Sequence, residues 1–406
     1  MKRSTWFDLF ASPNRSAHDM AAAVRDSLSK LDDALFVLWN LGENVFLAWT
    51  HDERELRFLC VRHYTLAAAV RHDSGQAQQG TVAAEFINEI LAGPKYMAPD
   101  RFTQVCREVG SDPHAIPMKL RIGREIDAEL VDNLVRRYGV SLVRGRAVVL
   151  LDAVHFSLHP PLDQMAMLNS LAYSVNSAYR QLLSKDIEVN FARTTTGDGF
   201  YIWNRARTVE ANIALYKLMM MILADNAVAQ DKSHGVGVPK LRAAFHVGEH
   251  YEFHQVEALN PTTFSYIVGQ VTIDLSRMIE KALPGQILLG DFETEVAAGP
   301  SQPVIRYSTL EFVEKTAATL DQLNGLEISG DRVDNIRCYL TGQNIGGNRF
   351  PVNRYHILDK HGTSRAVYNA KINIHREQAT PIFLGVQRER LSTFGADKVE
   401  VMSRET

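Results

Sequence analysis

Leu150-Leu151-Asp152-Ala153-Val154-His155-Phe156-Ser157 and, further on, Thr194-Thr195-Thr196-Gly197-Asp198-Gly199 decide how this chain reads. Each stretch carries an aspartate where an apolar run stops, and a carboxylate at a strand end can face a cation. If the two strands lie side by side, Asp152 and Asp198 can hold divalent ions against a triphosphate, as phosphoryl and nucleotidyl transfer require. Nucleotide chemistry is therefore the first expectation.

Working outward, Ala147-Val148-Val149-Leu150-Leu151 is short, apolar and rich in branched residues, as a central buried strand is. After His159-Pro160-Pro161, residues Met165, Leu168, Leu171, Val175 and Leu182 recur at helical spacing and predict a helix over 163–183. Ile187 to Phe191 reads as a strand, paired through a Gly197-Asp198-Gly199 turn with Phe200-Tyr201-Ile202-Trp203. A long helix is expected from Thr208 to Ala229, its methionines reading as core filler. Strands at Leu241–Val247 and Ser265–Val268, a helix over Val271–Leu283 and a strand at Gln286–Leu289 follow. Residues 291–353 look less regular, and Tyr355–Leu358 with Ala366–Ile374 read as a closing hairpin around Lys360-His361-Gly362.

Ahead of this, a polar lead and a helix ending near Lys30 occupy 1–30. Ala34–Trp39 and Asn44–Trp49 read as strands, Leu56–Val61 as part of a hairpin, and 82–91 and 126–138 as helices. The expected organisation is a lead over 1–30, a small α+β domain over 31–140, a mixed sheet with helices packed on it over 141–375 and a tail over 376–406. No motif in 31–140 ties to chemistry; it reads as a sensor, dimerisation or partner-binding module for an unknown ligand, with Trp39, Phe46 and Trp49 as core.

Composition narrows the partners. At 406 residues, 46% hydrophobic and 22% charged, the chain reads as a soluble globular protein of two or three domains. A formal net charge of -3 argues against a general nucleic-acid or anionic-membrane binder. Cys60, Cys106 and Cys338 are odd in number and far apart, which fits a reducing compartment and gives no zinc motif. With no apolar signal core and no uncharged stretch of spanning length, a cytoplasmic protein is expected. His246, His250 and His254 recur every fourth residue, a spacing that does not converge on a metal in a strand and turn.

The ordered motifs give the chain a family resemblance. Asp152-Ala153-Val154-His155-Phe156-Ser157, Thr195-Thr196-Gly197-Asp198-Gly199-Phe200-Tyr201, Phe245-His246-Val247-Gly248, Gly269 with Arg277 on the next helix, and Pro284-Gly285-Gln286-Ile287-Leu288 stand in the order and spacing of a class III nucleotidyl cyclase. The chain resembles a divergent bacterial member of that family from about Arg146 to Leu289, with a weaker tail to about Ile374. The resemblance implies a cyclase-like α+β sandwich and two Mg²⁺ or Mn²⁺ ions per site, held at Asp152, Ala153 and Asp198. It implies Arg277 as the catalytic cation at the α-phosphate, and Phe156, Thr194, Tyr266 and Lys360 as nucleotide-binding positions. It also implies a homodimer with sites at the interface, in which Asp152 and Arg277 act in trans, and a cyclic nucleotide as signalling product.

Three positions leave the family pattern. Thr194 and Tyr266 stand where purine-reading residues are usual, and Ile273 stands where an asparagine orients the ribose. Asp274 would lie about 100° around the helix from that position. A threonine and a tyrosine suit a smaller pyrimidine, since tyrosine fills space and hydrogen-bonds a base edge; some bacterial members that make cyclic UMP or cyclic CMP also lack the purine readers. The alternative is an inactive cyclase-like sensor or scaffold that binds nucleotide. A phosphodiester-forming polymerase or diguanylate cyclase on a related fold is disfavoured, because no Gly-Gly-Asp/Glu-Glu-Phe signature is found and Gly346-Gly347 leads into Asn348-Arg349-Phe350 with no carboxylate.

Overall fold

A computed structural model of the chain describes residues 22–66, 84–233, 237–256, 263–297, 303–342, 349–359, 362–391 and 395–403. It divides into two compact units, Met1–Val143 with Tyr251–Ile267, and Arg144–His250 with Val268–Thr406.

The first unit opens with helix α1 (Ala22–Trp39), which corrects the strand expected at 34–39. Leu28, Leu31, Leu35 and Trp39 fall three or four apart on one buried stripe, so the helical period wins over the continuous apolar run; Val37, off that stripe, is exposed. Strands β1 (Asn44–His51) and β2 (Glu55–Arg62) pair antiparallel, and β3 (His114–Pro117) joins β2; helices α2 (Ala84–Ala92), α3 (Pro99–Val109) and α4 (Ala128–Arg136) belong to the same unit. An irregularity between Phe46 and Ala48 inserts a residue into β1. Phe46 and Trp49 thereby share the face packed on α1 and α4, while Val45 and Leu47 pack on α2 and α3. Trp39, Phe46 and Trp49 are buried core residues, as the sequence suggested.

The second unit is built on β4 (Ser141–Ala153), α5 (Pro161–Leu183), β5 (Phe191–Thr195), β6 (Gly199–Asn204), α6 (Val209–Lys232) and β7 (Leu241–Val256). After β7 come β8 (Thr263–Val268), which up to Ile267 belongs to the first unit, and then α7 (Gln270–Lys281), β9 (Ile287–Gly290), β10 (Glu293–Ala297), β11 (Val304–Ser308) and α8 (Thr309–Ala317) of the second. The remaining strands are β12 (Glu327–Ile328), β13 (Asp331–Leu340), β14 (Arg349–Leu358), β15 (Ser364–Arg376), β16 (Ile382–Leu384) and β17 (Gly395–Ser403). The sheet order β12-β13-β15-β9-β7-β4-β6-β5 contains a split β-α-β-β-α-β arrangement in β7-β4-β6-β5, crossed by α5 and α6. β4 and β6 pair antiparallel while β7 and β9 pair parallel, so the sheet is mixed and the protein is α+β, as expected.

Three further expectations change. The strand placed at 187–191 lies at Phe191–Thr195, which puts Thr194 and Thr195 inside the ladder with β6. Residues 291–353 hold the β10-β11 hairpin, α8 and β13; α8 starts on a Ser308/Glu311 capping box. The stretch expected as a tail beyond 375 adds β16 to β15 and β17 to β14.

Ala147, Val149 and Leu151 turn one face of β4 onto a core that takes in α5 and most of α6. Helix α6 is long and apolar enough to cross a membrane by length and composition, and 78% of its most apolar stretch is buried in the protein. Met219, Met220 and Met221 are fully buried in that core. The free thiols are buried too, and burial pushes Cys60 up to about 11 and Cys338 up to about 12, which leaves them protonated and inert.

Asn212 fastens α6 to the middle of the central strand β4. Its fully buried amide accepts from the Ala147 N–H at 2.9 Å and donates to the Gly145 carbonyl at 2.9 Å and the Tyr307 hydroxyl at 2.8 Å. Asn212→Ala strands three buried polar groups and is expected to cost about 3 kcal/mol of stability, measured by denaturant unfolding; a loss below about 0.5 kcal/mol contradicts this account.

Candidate functional site

Asp152 stands opposite Gly199 in the β4-β6 ladder, so the end of β4 lies beside the turn that carries Asp198. The turn is tied down at several points: the Ala153 N–H donates to the Asp198 carbonyl at 3.0 Å, the Gly197 N–H to Thr195 Oγ1 at 3.0 Å, and Thr196 Oγ1 to Asp198 Oδ1 at 3.1 Å. On the other side the Val154 N–H donates to the Lys240 carbonyl at 2.8 Å, fixing the segment after Asp152 to the start of β7. Gly199 makes the approach possible, since a Cβ there would lie 1.9 Å from the Leu151 carbonyl oxygen.

Asp152 is 7% exposed and Asp198 is half-buried. Burial holds the Asp152 carboxyl above the ordinary carboxylate range, Arg242 pulls it back down, and the nearby Asp198 adds to the rise. Arg242, on β7, donates from Nε to Asp152 Oδ2 at 2.6 Å and from Nη1 to the Ala282 carbonyl at the end of α7 at 3.4 Å. The guanidinium pairs with Asp152, and among the described residues Asp198 has no ion pair of its own. Oxygen donors of this kind suit a hard cation. Among the described residues no cluster of three or more His, Cys, Asp or Glu side chains forms a metal site, so backbone, water or phosphate oxygens must complete any coordination here. Ala153 follows Asp152 directly at the site, and Phe156 is half-buried in the short turn Phe156–Leu158.

Arg277 belongs to a second charged cluster. It donates from Nη1 to Glu280 at 3.2 Å, the ion pair one helical turn away, and its Nε lies 3.9 Å from Asp359. Arg365 donates to Asp274 at 2.7 Å and to Asp359 at 2.6 Å. His246 Nε2 is 3.7 Å from Asp274; burial pushes this imidazole below its usual value, against the pull of Asp274 and Asp291. Helix α7 adjoins both clusters, through Ala282 at its end and Arg277 along its length, and Tyr201 of β6 donates to its Thr272 carbonyl at 3.1 Å. Among the described residues no ion pair links Asp152 to Arg277 within the chain.

The other sequence-derived positions are dispersed. Thr194 is half-buried opposite Tyr201. Tyr266 belongs to the first unit and stacks on Phe253 with ring centroids 6.0 Å apart. Ile273 is 46% exposed on α7, and Lys360 lies outside the described residues. Sequence reading missed Arg242, Asp274 as an ion-pair partner, Asp359 and Arg365. The signal for Arg242 was a lone charge entering the apolar run Leu241–Phe245.

No family model and no curated protein matches the chain. Among solved structures it is similar to the adenylyl cyclase CyaB from P. aeruginosa, at 12% identity and TM-score 0.34 over 57% of this chain and 95% of that one. It is similar also to the guanylate cyclase domain of RhGC from Catenaria anguillulae in complex with GTP, at 12% identity and TM-score 0.33 over 59% and 100%. A third is the guanylyl cyclase Cya2, at 11% identity and TM-score 0.31 over 57% and 92%.

The Gly199 contact gives a direct test of the site's construction. Gly199→Ala must open the β4-β6 ladder beside Asp152, and is expected to cost about 2–3 kcal/mol in unfolding experiments. Wild-type stability in the variant contradicts the arrangement.

Proposed function

We propose that this protein is a nucleotidyl cyclase, which converts a nucleoside triphosphate to a 3′,5′-cyclic nucleotide and pyrophosphate. The observation that carries the reading is the Asp152–Asp198 carboxylate pair at the abutting ends of β4 and β6, with Arg242 as its resident counter-charge. Asp152, Asp198 and the Ala153 backbone would hold two Mg²⁺ or Mn²⁺ ions. When bound, such ions neutralise the triphosphate and lower the pKa of the ribose 3′-hydroxyl.

The residues of the chain supply the rest. In the reaction the 3′-oxygen loses its proton and bonds to the α-phosphorus, while the bond from that phosphorus to the bridging oxygen breaks and pyrophosphate leaves. Arg277, a fixed guanidinium fork, stabilises the charge that grows on the α-phosphate. Arg242 can turn from Asp152 to a phosphate oxygen as the carboxylates take up metal. Lys360 is the proposed grip on the terminal phosphates, the Ala153–Phe156 turn their cradle, and Thr194 and Tyr266 the base-facing positions. Arg277 would act on the partner's Asp152 site in a homodimer. The protein would work in the cytoplasm as a source of a cyclic-nucleotide signal, a setting that suits its buried free thiols.

A second reading, a nucleotide-binding sensor or scaffold without turnover, is favoured by Ile273 exposed on α7 and by Arg277 engaged with Glu280 and Asp359. Incubation with ATP, GTP, CTP and UTP and Mn²⁺, with mass detection of cyclic products, separates the two. The cyclase reading expects one cyclic nucleotide and pyrophosphate, with turnover lowered at least about 100-fold in Asp152→Ala and in Arg277→Ala. No product from any triphosphate, with nucleotide binding unchanged in Asp152→Ala, overturns it.

A further inference from the structure

The second unit contains a cavity of about 250 Å³ whose lining includes Leu223 and Asn226 of α6, Lys240 at the entry to β7, Ile287 of β9, Phe383 of β16, and Arg390. Asp152, Asp198 and Arg277 are not among the residues that line it. Its lining combines three features that point to a ligand.

Asn226 is 3% exposed; its Nδ2 donates to the Pro239 carbonyl at 3.0 Å, but its Oδ1 has no hydrogen-bond partner among the described residues. A buried acceptor left without a donor is costly, and a ligand N–H or O–H would satisfy it. Lys240 and Arg390 are exposed, and among the described residues neither side chain has an ion pair or hydrogen bond. No carboxylate lines the cavity to balance these cations. Phe383 is 62% exposed, and with Leu223 and Ile287 it offers an apolar surface to a flat body.

We propose that this cavity is a binding site for a small organic anion with a ring-sized apolar body and one hydrogen-bond donor. The anionic group pairs with Lys240 and Arg390, the donor meets Asn226 Oδ1, and the ring packs between Phe383 and the Leu223–Ile287 wall. The volume lies just below the usual range for small-molecule sites, about 300–1,000 Å³, which limits the body to the size of two fused rings.

The probe is 5-aminonaphthalene-1-sulfonate, which carries a sulfonate, a two-ring fused aromatic body and an N–H donor, titrated into the full chain by fluorescence. One saturable site per chain is expected, weakened about tenfold in the Lys240→Gln/Arg390→Gln double variant. Phe383→Ser should weaken it as well, and the neutral analogue 1-naphthylamine should bind the wild type and the double variant alike. Raising the salt concentration should weaken the sulfonate and leave the neutral analogue unaffected. The proposal is overturned by unsaturable binding, by equal affinity in the wild type and the double variant, or by displacement of the probe with ATP and Mn²⁺. These readouts do not depend on turnover, so they stand or fall apart from the cyclase reading.

Discussion

The second unit depends on how closely β6 runs along β4. Gly199 sits against the Leu151 carbonyl with no room for a side chain, and that contact sets Asp152 opposite the turn of Asp198. Two carboxylates brought together in a partly buried place repel each other, and burial already disfavours the charged form of Asp152. The protein offsets this with Arg242, which reaches from β7 to Asp152 and is itself held by the last turn of α7. The three strands and the helix therefore converge on one electrostatic problem, two neighbouring carboxylates with Arg242 paired to Asp152.

Helix α7 gives that arrangement its reach. It begins at Gly269, with φ at 154°, where a Cβ would lie 2.8 Å from the His250 Cα, so only glycine brings the helix this close to β7. From there its C-terminal carbonyl takes Arg242, while Asp274 and Arg277 look toward Arg365 and Asp359 at the β14-β15 hairpin. Asp359 serves two guanidiniums, Arg365 directly and Arg277 at longer range, and holds Arg277 away from free rotation in solvent. An arginine anchored in this way is held in place, and its charge is already engaged by Glu280 and Asp359.

Much of this was legible in the sequence because it rested on local pattern. The apolar run into Asp152, the helical faces of α5, α6 and α7, and the turn glycine before Asp198 are periodicity and punctuation that one strand or helix carries by itself. The errors fall where local pattern is ambiguous or tertiary contact decides. Ala34–Trp39 is apolar enough for a strand, and only the buried stripe of Leu28, Leu31, Leu35 and Trp39 shows that the helix runs through it. β17 is paired by β14, so no feature within it announces its role. Arg242 and Arg365 look like ordinary surface charges in a linear sequence; their meaning comes from Asp152, Asp274 and Asp359, all at least six residues away along the chain.

The central claim is that Asp152 and Asp198 form a cation site in which Arg242 is a replaceable occupant. Anomalous diffraction at the manganese edge, from crystals of the protein with Mn²⁺ and a non-hydrolysable nucleoside triphosphate, tests it most directly. The account predicts manganese density between the two carboxylates, with Arg242 withdrawn from Asp152 toward the phosphates. Bound triphosphate with no manganese between Asp152 and Asp198, and Arg242 Nε still 2.6 Å from Asp152 Oδ2, would contradict it.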